Sequence, residues 1–468
     1  MRESLQRWAR LAFARGAVAD HRSRRARGVL RGTISAMAGR GVGMLVGLAT
    51  VPLTIGYLGG ERYGIWITIS TFLAFLSFTD FGIANSLSNA LGKAQDEREV
   101  AARYVSSAFF IFCIIALLLG AAAIVSAPHL PPLFFPKLES PVAHMEVQRA
   151  LLFALLIFAA NIPLLITNKV LAAHHEIAIS NVWGIIGTIA NLGAILAVIA
   201  FRGGLPALVL GSSGLGLLCN LACAVWVFGY RWPHLRPHFM RVDFAALRDL
   251  LSAGWKFLVI GAVWMVNSET DNLVIARYLG AAAVTPYAVT FAVFANATLL
   301  QTLAYPSLWP AYTEAFAQKD FVWMRRTFRS HMKLSFLSAF AVVGVLVVFA
   351  QPIIRFWAGE TAVPPFATIV WMGVWNLMLA TLYVASCLLN ATGHLKGMTI
   401  SGTITAVLNI ALSIFFAQKY GISGVIAGTV IAFAVAHYIP TFVEVRSVLR
   451  KAAATASPVS GAETSRAR

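Results

Sequence analysis

Apolar residues run in blocks of about twenty along this chain, separated by short polar stretches, with no two-residue alternation inside the blocks. At a rise of about 1.5 Å per residue, such a block spans the roughly 30 Å hydrocarbon core of a bilayer as a helix. Barrel strands would be half as long and would alternate. The pattern predicts twelve spans, at 33–57, 63–90, 104–127, 149–171, 178–201, 205–229, 250–279, 285–312, 330–350, 366–389, 397–417 and 421–446. Composition agrees. Of 468 residues, 59% are hydrophobic and 12% charged, with a mean hydropathy of +0.75, where soluble domains carry about 25% charge. The expected fold is an all-α polytopic membrane protein.

The basic residues orient the spans. With the N-terminus inside, 29 of the 37 Lys and Arg fall on the inner side, seven on the outer, and Arg40 lies within span one. The positive-inside rule then places both termini in the cytoplasm. It also accounts for the net charge of +18, so nucleic acid is not an expected partner. Nine Arg lie in residues 1–31, which could form an amphipathic helix on an anionic leaflet or a solvated basic tail. The four cysteines all fall in apolar segments and suggest neither disulfides nor a metal site.

The second half of the chain repeats the first. "GYLGGERYGIW" after span one matches "RYLGAAAVTPYAV" after span seven, placing Tyr57 on Tyr278. Downstream, "NLGAILAVI" matches "NIALSIFFA", placing Asn191 on Asn409. Six spans per unit is an even number, so the repeats are parallel, an arrangement found in transporters with a midplane site between the halves. The expected organisation is a basic segment 1–31, a six-helix lobe 32–230, a basic linker 231–248, a second lobe 249–447 and a disordered tail 448–468.

Chemistry is sparse. No phosphate-binding loop, H-E-x-x-H or G-x-S-x-G motif occurs. "HHE" at 174–176 has ligand types but no supporting constellation, and reads as a structural loop. No metal or cofactor is expected. The outer loops are short, which disfavours a membrane glycosyltransferase or polymerase; Glu139 and Glu146 are the sole acidic pair there. What remains is charge inside the membrane, each instance costing about 2.5–3.5 kcal/mol on insertion scales. Arg40 and Asp80 lie 17 residues from Tyr57 and Tyr63, hence at equal depth, and are expected to pair or to share a wet inner cavity. In span seven, "VNSETDNLV" places Asn267, Glu269, Asp271 and Asn272 on opposed sides of one helix. That helix is expected to be surrounded by protein and water, or to be locally broken.

"LGGERYGIWITISTFLAFLSFTDFGIANSLSNALGKA" and "TDNLVIARYLGAAAVTPYAV" resemble the second- and seventh-helix regions of bacterial polysaccharide-biosynthesis flippases, across about residues 30–450. The resemblance implies membership of the superfamily that also holds multidrug extruders and the peptidoglycan lipid flippase. It implies two six-helix lobes around a central cavity lined by helices one, two, seven and eight. It also implies transport of an undecaprenyl-diphosphate-linked oligosaccharide across the bacterial inner membrane by alternating access. On this reading Arg40 would hold the diphosphate, and Asp80, Asn85, Asn267, Glu269, Asp271 and Asn272 would line the cavity. Protonation of Glu269 or Asp271 would couple an ion gradient. Partners would be the lipid-linked oligosaccharide, membrane lipids and polysaccharide polymerase or export proteins. A departure from the family pattern is that span seven supplies acids and no mid-depth Arg. A cation-coupled drug extruder is the alternative reading.

Overall fold

The computed structural model describes residues 21–94, 97–138, 141–295, 297–394 and 396–455. The expectations for residues 1–20 and for 456–468 lie outside these, as does Glu139. The described residues are helical with short connections, and no strand occurs among them. In hydrocarbon a backbone amide has no water to bond, so each crossing segment must satisfy its own N–H and C=O groups.

In chain order the helices are α1 (His21–Leu76), α2 (Ile83–Lys93), α3 (Arg98–Ser126), α4 (Leu130–Phe134), α5 (Pro141–Asn161), α6 (Leu165–Ala173), α7 (Ile177–Ala200) and α8 (Leu205–Trp226). There follow α9 (Phe244–Tyr278), α10 (Ala281–Phe294), α11 (Leu299–Ala317), α12 (Phe321–Ala358), α13 (Phe366–Ala391), α14 (Lys396–Phe433) and α15 (Ile439–Thr455). Among the described residues, eight helical stretches are long and apolar enough to cross a membrane. Two of them, Arg31–Asp80 and Gly397–Arg450, have 50 and 54 residues. A helix of that length would extend about 75–80 Å, and each is interrupted by a glycine in a non-helical conformation, Gly59 in α1 and Gly421 in α14. Such breaks are compatible with two crossings each. α9 is long enough at 35 residues but carries the polar run. Helix α15 extends to Thr455, so the first part of the expected disordered tail is helical.

The repeat seen in sequence reappears in backbone geometry. Gly59 (φ 80°, ψ 165°) and Gly280 (φ 100°, ψ 162°) are equivalent positions and hold nearly the same conformation, one that only glycine adopts without strain. His175 and Gly393, also equivalent, both have positive φ. The amide of Glu176 donates to Leu171 O at 2.8 Å, and that of His394 to Leu389 O at 3.0 Å. The "HHE" loop is thus a helix terminus repeated in both halves. Glu176 pairs with Arg231 and the His174 ring lies 4.3 Å from that of Trp232.

The helices form two compact units, which do not follow the chain as two uninterrupted halves. The first comprises residues up to Gly59 together with Phe72–Ala262; the second comprises Gly60–Thr71 and the chain from Val263. The core of the first unit gathers Ile83, Leu87, Val105, Phe112, Ile166 and Val227. That of the second includes Tyr312, Met324, Ala385, Leu388 and Val445. Residues 60–71 sit firmly in their unit: Tyr63, Ile65 and Ile69 are buried, Gly64 lies against the Ala281 carbonyl, and the Thr285 hydroxyl donates to Gly60 O.

Among the described glycines of the first unit, Gly82 in the turn after Phe81 makes the tightest approach. Gly82 has φ 70°, and a side chain there would meet the Gly254 backbone. Gly82→Val is expected to destabilise by about 1–3 kcal/mol through overpacking, with backbone strain in addition. Gly92→Ala, where nothing lies within 4 Å, should leave stability unchanged or raised. Thermal unfolding of the detergent-solubilised variants checks both.

Candidate functional site

Helix α9 runs unbroken through the polar stretch at 267–272, so the local break entertained from sequence does not occur. The helix holds polar groups on opposed sides because each described one has its own destination. The Asn267 amide donates to Gly402 O at 3.2 Å, and the Thr270 hydroxyl donates back to Val266 O within the helix. Asn272 Nδ2 donates to Thr71 Oγ1 at 3.1 Å, and Asp271 turns into the bundle, where it is 7% exposed. Glu269 is half-buried and no hydrogen bond or ion pair engages it among the described residues.

A carboxylate this buried needs donors, and Asp271 has two hydroxyls. The Tyr287 hydroxyl, from α10, donates to Oδ2. The Thr429 hydroxyl, from α14, lies 2.9 and 3.0 Å from the two carboxylate oxygens. Thr429 Oγ1 is also 2.9 Å from Asn409 Oδ1, which is itself 2.9 Å from the Ser413 hydroxyl. Both hydroxyls reach the Val425 carbonyl at 3.2 Å. Thr429 and Ser413 bring one hydrogen each. They face the carboxylate, Asn409 Oδ1 and Val425 O, while Asn409 Nδ2 is buried without a partner. With its oxygen inward, Asn409 completes an oxygen-lined cage that is short of hydrogens and suited to extra positive charge. With its amide turned over, Asn409 Nδ2 would donate to Thr429, which would donate to Asp271. Either orientation of Asn409 leaves Thr429 and Asp271 joined in one buried hydrogen-bonded group.

Next to the cage is a cavity of about 270 Å³, lined by Ile67, Ser70, Thr71, Glu269, Asp271, Asn272, Tyr287, Ala288 and Phe291. All nine belong to the second unit. Of the residues singled out in sequence, Glu269, Asp271 and Asn272 are brought together here, and Asn267 points instead to α14.

Arg40, Asp80 and Asn85 belong to the first unit. Arg40 is exposed on α1 and makes no ion pair among the described residues, so the expected pairing with Asp80 is not formed. Asp80 ends the short 3₁₀ turn Ser77–Asp80, where its Oδ1 accepts the Gly82 N–H at 2.9 Å. Its cationic neighbour is Lys169 on α6, whose Nζ donates to Asn85 Oδ1 at 2.8 Å. In the sequence Lys169 is one of 29 inner-side basic residues, and nothing singles out Tyr287, Thr429 or Ser413. Hydroxyl residues are common in apolar helices, so nothing but geometry marks them. Asn409 carried a signal, because it aligned with Asn191 in the repeat.

Residues 29–316 match the family described as "Polysaccharide biosynthesis protein". The chain belongs to that family. Among curated relatives, a Salmonella typhi protein proposed to be an O-antigen transporter is 21% identical over 400 residues, covering 83% of this chain and 89% of the relative. A Yersinia pseudotuberculosis protein proposed for O-antigen export is 20% identical, covering 85% and 91%. Among solved structures, an inward-facing multidrug-resistance MATE transporter of the MOP superfamily aligns with a TM-score of 0.74 at 16% identity, covering 92% of this chain and all of that one. A MOP superfamily transporter from Pyrococcus furiosus, described as having a binding pocket of reverse polarity, aligns at 0.61 and 15% identity, covering 91% and 96%. The likeness establishes a MATE-like helical fold for this member of the polysaccharide biosynthesis family.

Tyr287→Phe is expected to cost about 1–3 kcal/mol by stripping a donor from a buried carboxylate. In an Asp271→Asn background the same change should cost much less. A double-mutant cycle on thermal unfolding in nanodiscs measures the difference.

Proposed function

We propose that this protein is a flippase that carries an undecaprenyl-diphosphate-linked oligosaccharide across the bacterial cytoplasmic membrane by alternating access, with both termini in the cytoplasm. The observation that carries the reading is a polar cavity inside an otherwise apolar bundle, formed by Glu269, Asp271 and Asn272, in a chain of the polysaccharide biosynthesis family. A sugar headgroup cannot cross hydrocarbon without replacing its water by protein hydrogen bonds, and a hydrated polar cavity supplies them. The relatives proposed for O-antigen transport and export agree with such a cargo. Arg40, exposed on α1, would hold the diphosphate as a forked donor, with Lys169 as a second cation in the same unit. Polymerase or export proteins would receive the cargo afterwards.

Coupling to an ion gradient would act through the Asp271 cage. Loading it with a proton or monovalent cation supplies the positive charge that its oxygens lack. Emptying it leaves the carboxylate dependent on two hydroxyls. An energy difference between the loaded and empty states is what a gradient needs to bias a conformational equilibrium.

A second reading rests on the same cavity. Its two acids and the lack of any Lys, Arg or His among the described lining residues suit a cationic drug.

The test is transport in proteoliposomes with imposed proton or sodium gradients. Lipid-linked oligosaccharide should reach the far leaflet and the rate should follow one of the gradients. Arg40→Ala should slow it about tenfold or more, the loss of one charge-assisted contact of about 1.5–3 kcal/mol. Glu269→Gln with Asp271→Asn should abolish gradient dependence. Full gradient-dependent transport by that double variant would refute coupling through these acids. Export of cationic dyes without glycolipid movement would favour the second reading.

A further inference from the structure

The cavity beside α9 is short of donors as well as of cations. The Ser70 hydroxyl donates to Trp66 O at 2.9 Å, the Tyr287 hydroxyl is given to Asp271, and Asn272 Nδ2 is directed to Thr71, whose hydroxyl hydrogen is the one hydroxyl donor of the lining left uncommitted. The open charged position is an acceptor. Glu269 is half-buried and unengaged among the described residues. An acceptor left bare in a buried site costs about 1–3 kcal/mol, so a ligand bearing donors gains by filling it. Phe291 adds a flat apolar surface against which the C–H face of a sugar ring can pack.

Size narrows the ligand further. About 270 Å³ lies just below the range of small-molecule pockets, which begins near roughly 300 Å³. Such a space suits one pyranose ring and not an oligosaccharide repeat. The diphosphate does not belong here, because it would bring anionic acceptors to a place already rich in both.

Building on the flippase reading, we infer that this cavity is a single-sugar subsite that selects for amino-bearing or neutral residues of the cargo and rejects uronic acids. An ammonium would pair with Glu269 through a charge-assisted bond. A neutral sugar would donate its hydroxyls to Glu269. A uronate would bring a like charge beside Glu269 in a partly desolvated space.

The experiment is saturation-transfer NMR on the full-length protein in nanodiscs with the methyl glycosides of glucosamine, glucose and glucuronic acid. Proteoliposome flipping of a lipid-linked oligosaccharide is measured on the same preparation. The amino and neutral glycosides should bind at least about fivefold more tightly than the uronide, and Glu269→Gln should level the amine and the uronide. Equal or tighter binding of the uronide, an order unchanged by Glu269→Gln, or no glycoside binding would each overturn the subsite. The wild-type order alone decides the matter should the variant fail to fold. If flipping proceeds while the order is absent, the subsite fails and the flippase stands. If flipping is absent and tetraphenylphosphonium is exported, the flippase reading fails.

Discussion

Burying a carboxylate in a bundle surrounded by hydrocarbon sets the strictest requirement in this protein. Asp271 can stay where it is only if other helices bring it hydrogen atoms. Tyr287 on α10 and Thr429 on α14 do so, and Asn409 and Ser413 extend the arrangement by one further layer. The helices of the second unit are thereby held together at a polar centre. Between transmembrane helices apolar contact gives little net drive, since lipid is as apolar as Leu. Hydrogen bonds and close backbone approach, as at Gly64 and Ala281, define the packing instead.

The same requirement explains how an unbroken helix can be polar on opposed sides. Thr270 is satisfied within its own helix, and the other described side chains in 267–272 go to separate places: α14 for Asn267, the bundle interior for Asp271, residues 60–71 for Asn272 and the cavity for Glu269. The helix is ringed by protein and cavity at this level. Its continuity follows from intact backbone hydrogen bonds, which leave the side chains free to serve separate sites.

Much of this was legible from residue order. Block length fixed the helical class, and the displaced repetition of "YLG" anticipated the shared backbone of Gly59 and Gly280. The acids of the cavity stood out because charge in a span is costly. Arg40 and Asp80 show where such reading stops. Equal depth along two helices says nothing about the rotation of either, and rotation is settled by packing. Asp80 turned out to serve its own turn at Gly82, with Lys169 nearby. The partners of Asp271 were hidden for a different reason. Thr, Ser and Tyr satisfy themselves on their own helix as often as they reach another, so their type does not reveal their role.

The division of the chain between the two units bears on how the protein is made. Residues 60–71 emerge from the ribosome with the first unit but pack with residues that begin at Val263. At synthesis rates of about 5–20 residues per second, that segment waits on the order of ten to forty seconds for its partners. During that interval Gly64 and the buried face around Tyr63 and Ile69 have no native neighbour. The first unit likewise cannot close until residue 262 has been inserted. A cut in the basic linker would therefore not separate two self-sufficient bodies, because each fragment would keep a piece that the other needs. The duplicated chain has become a single folding problem.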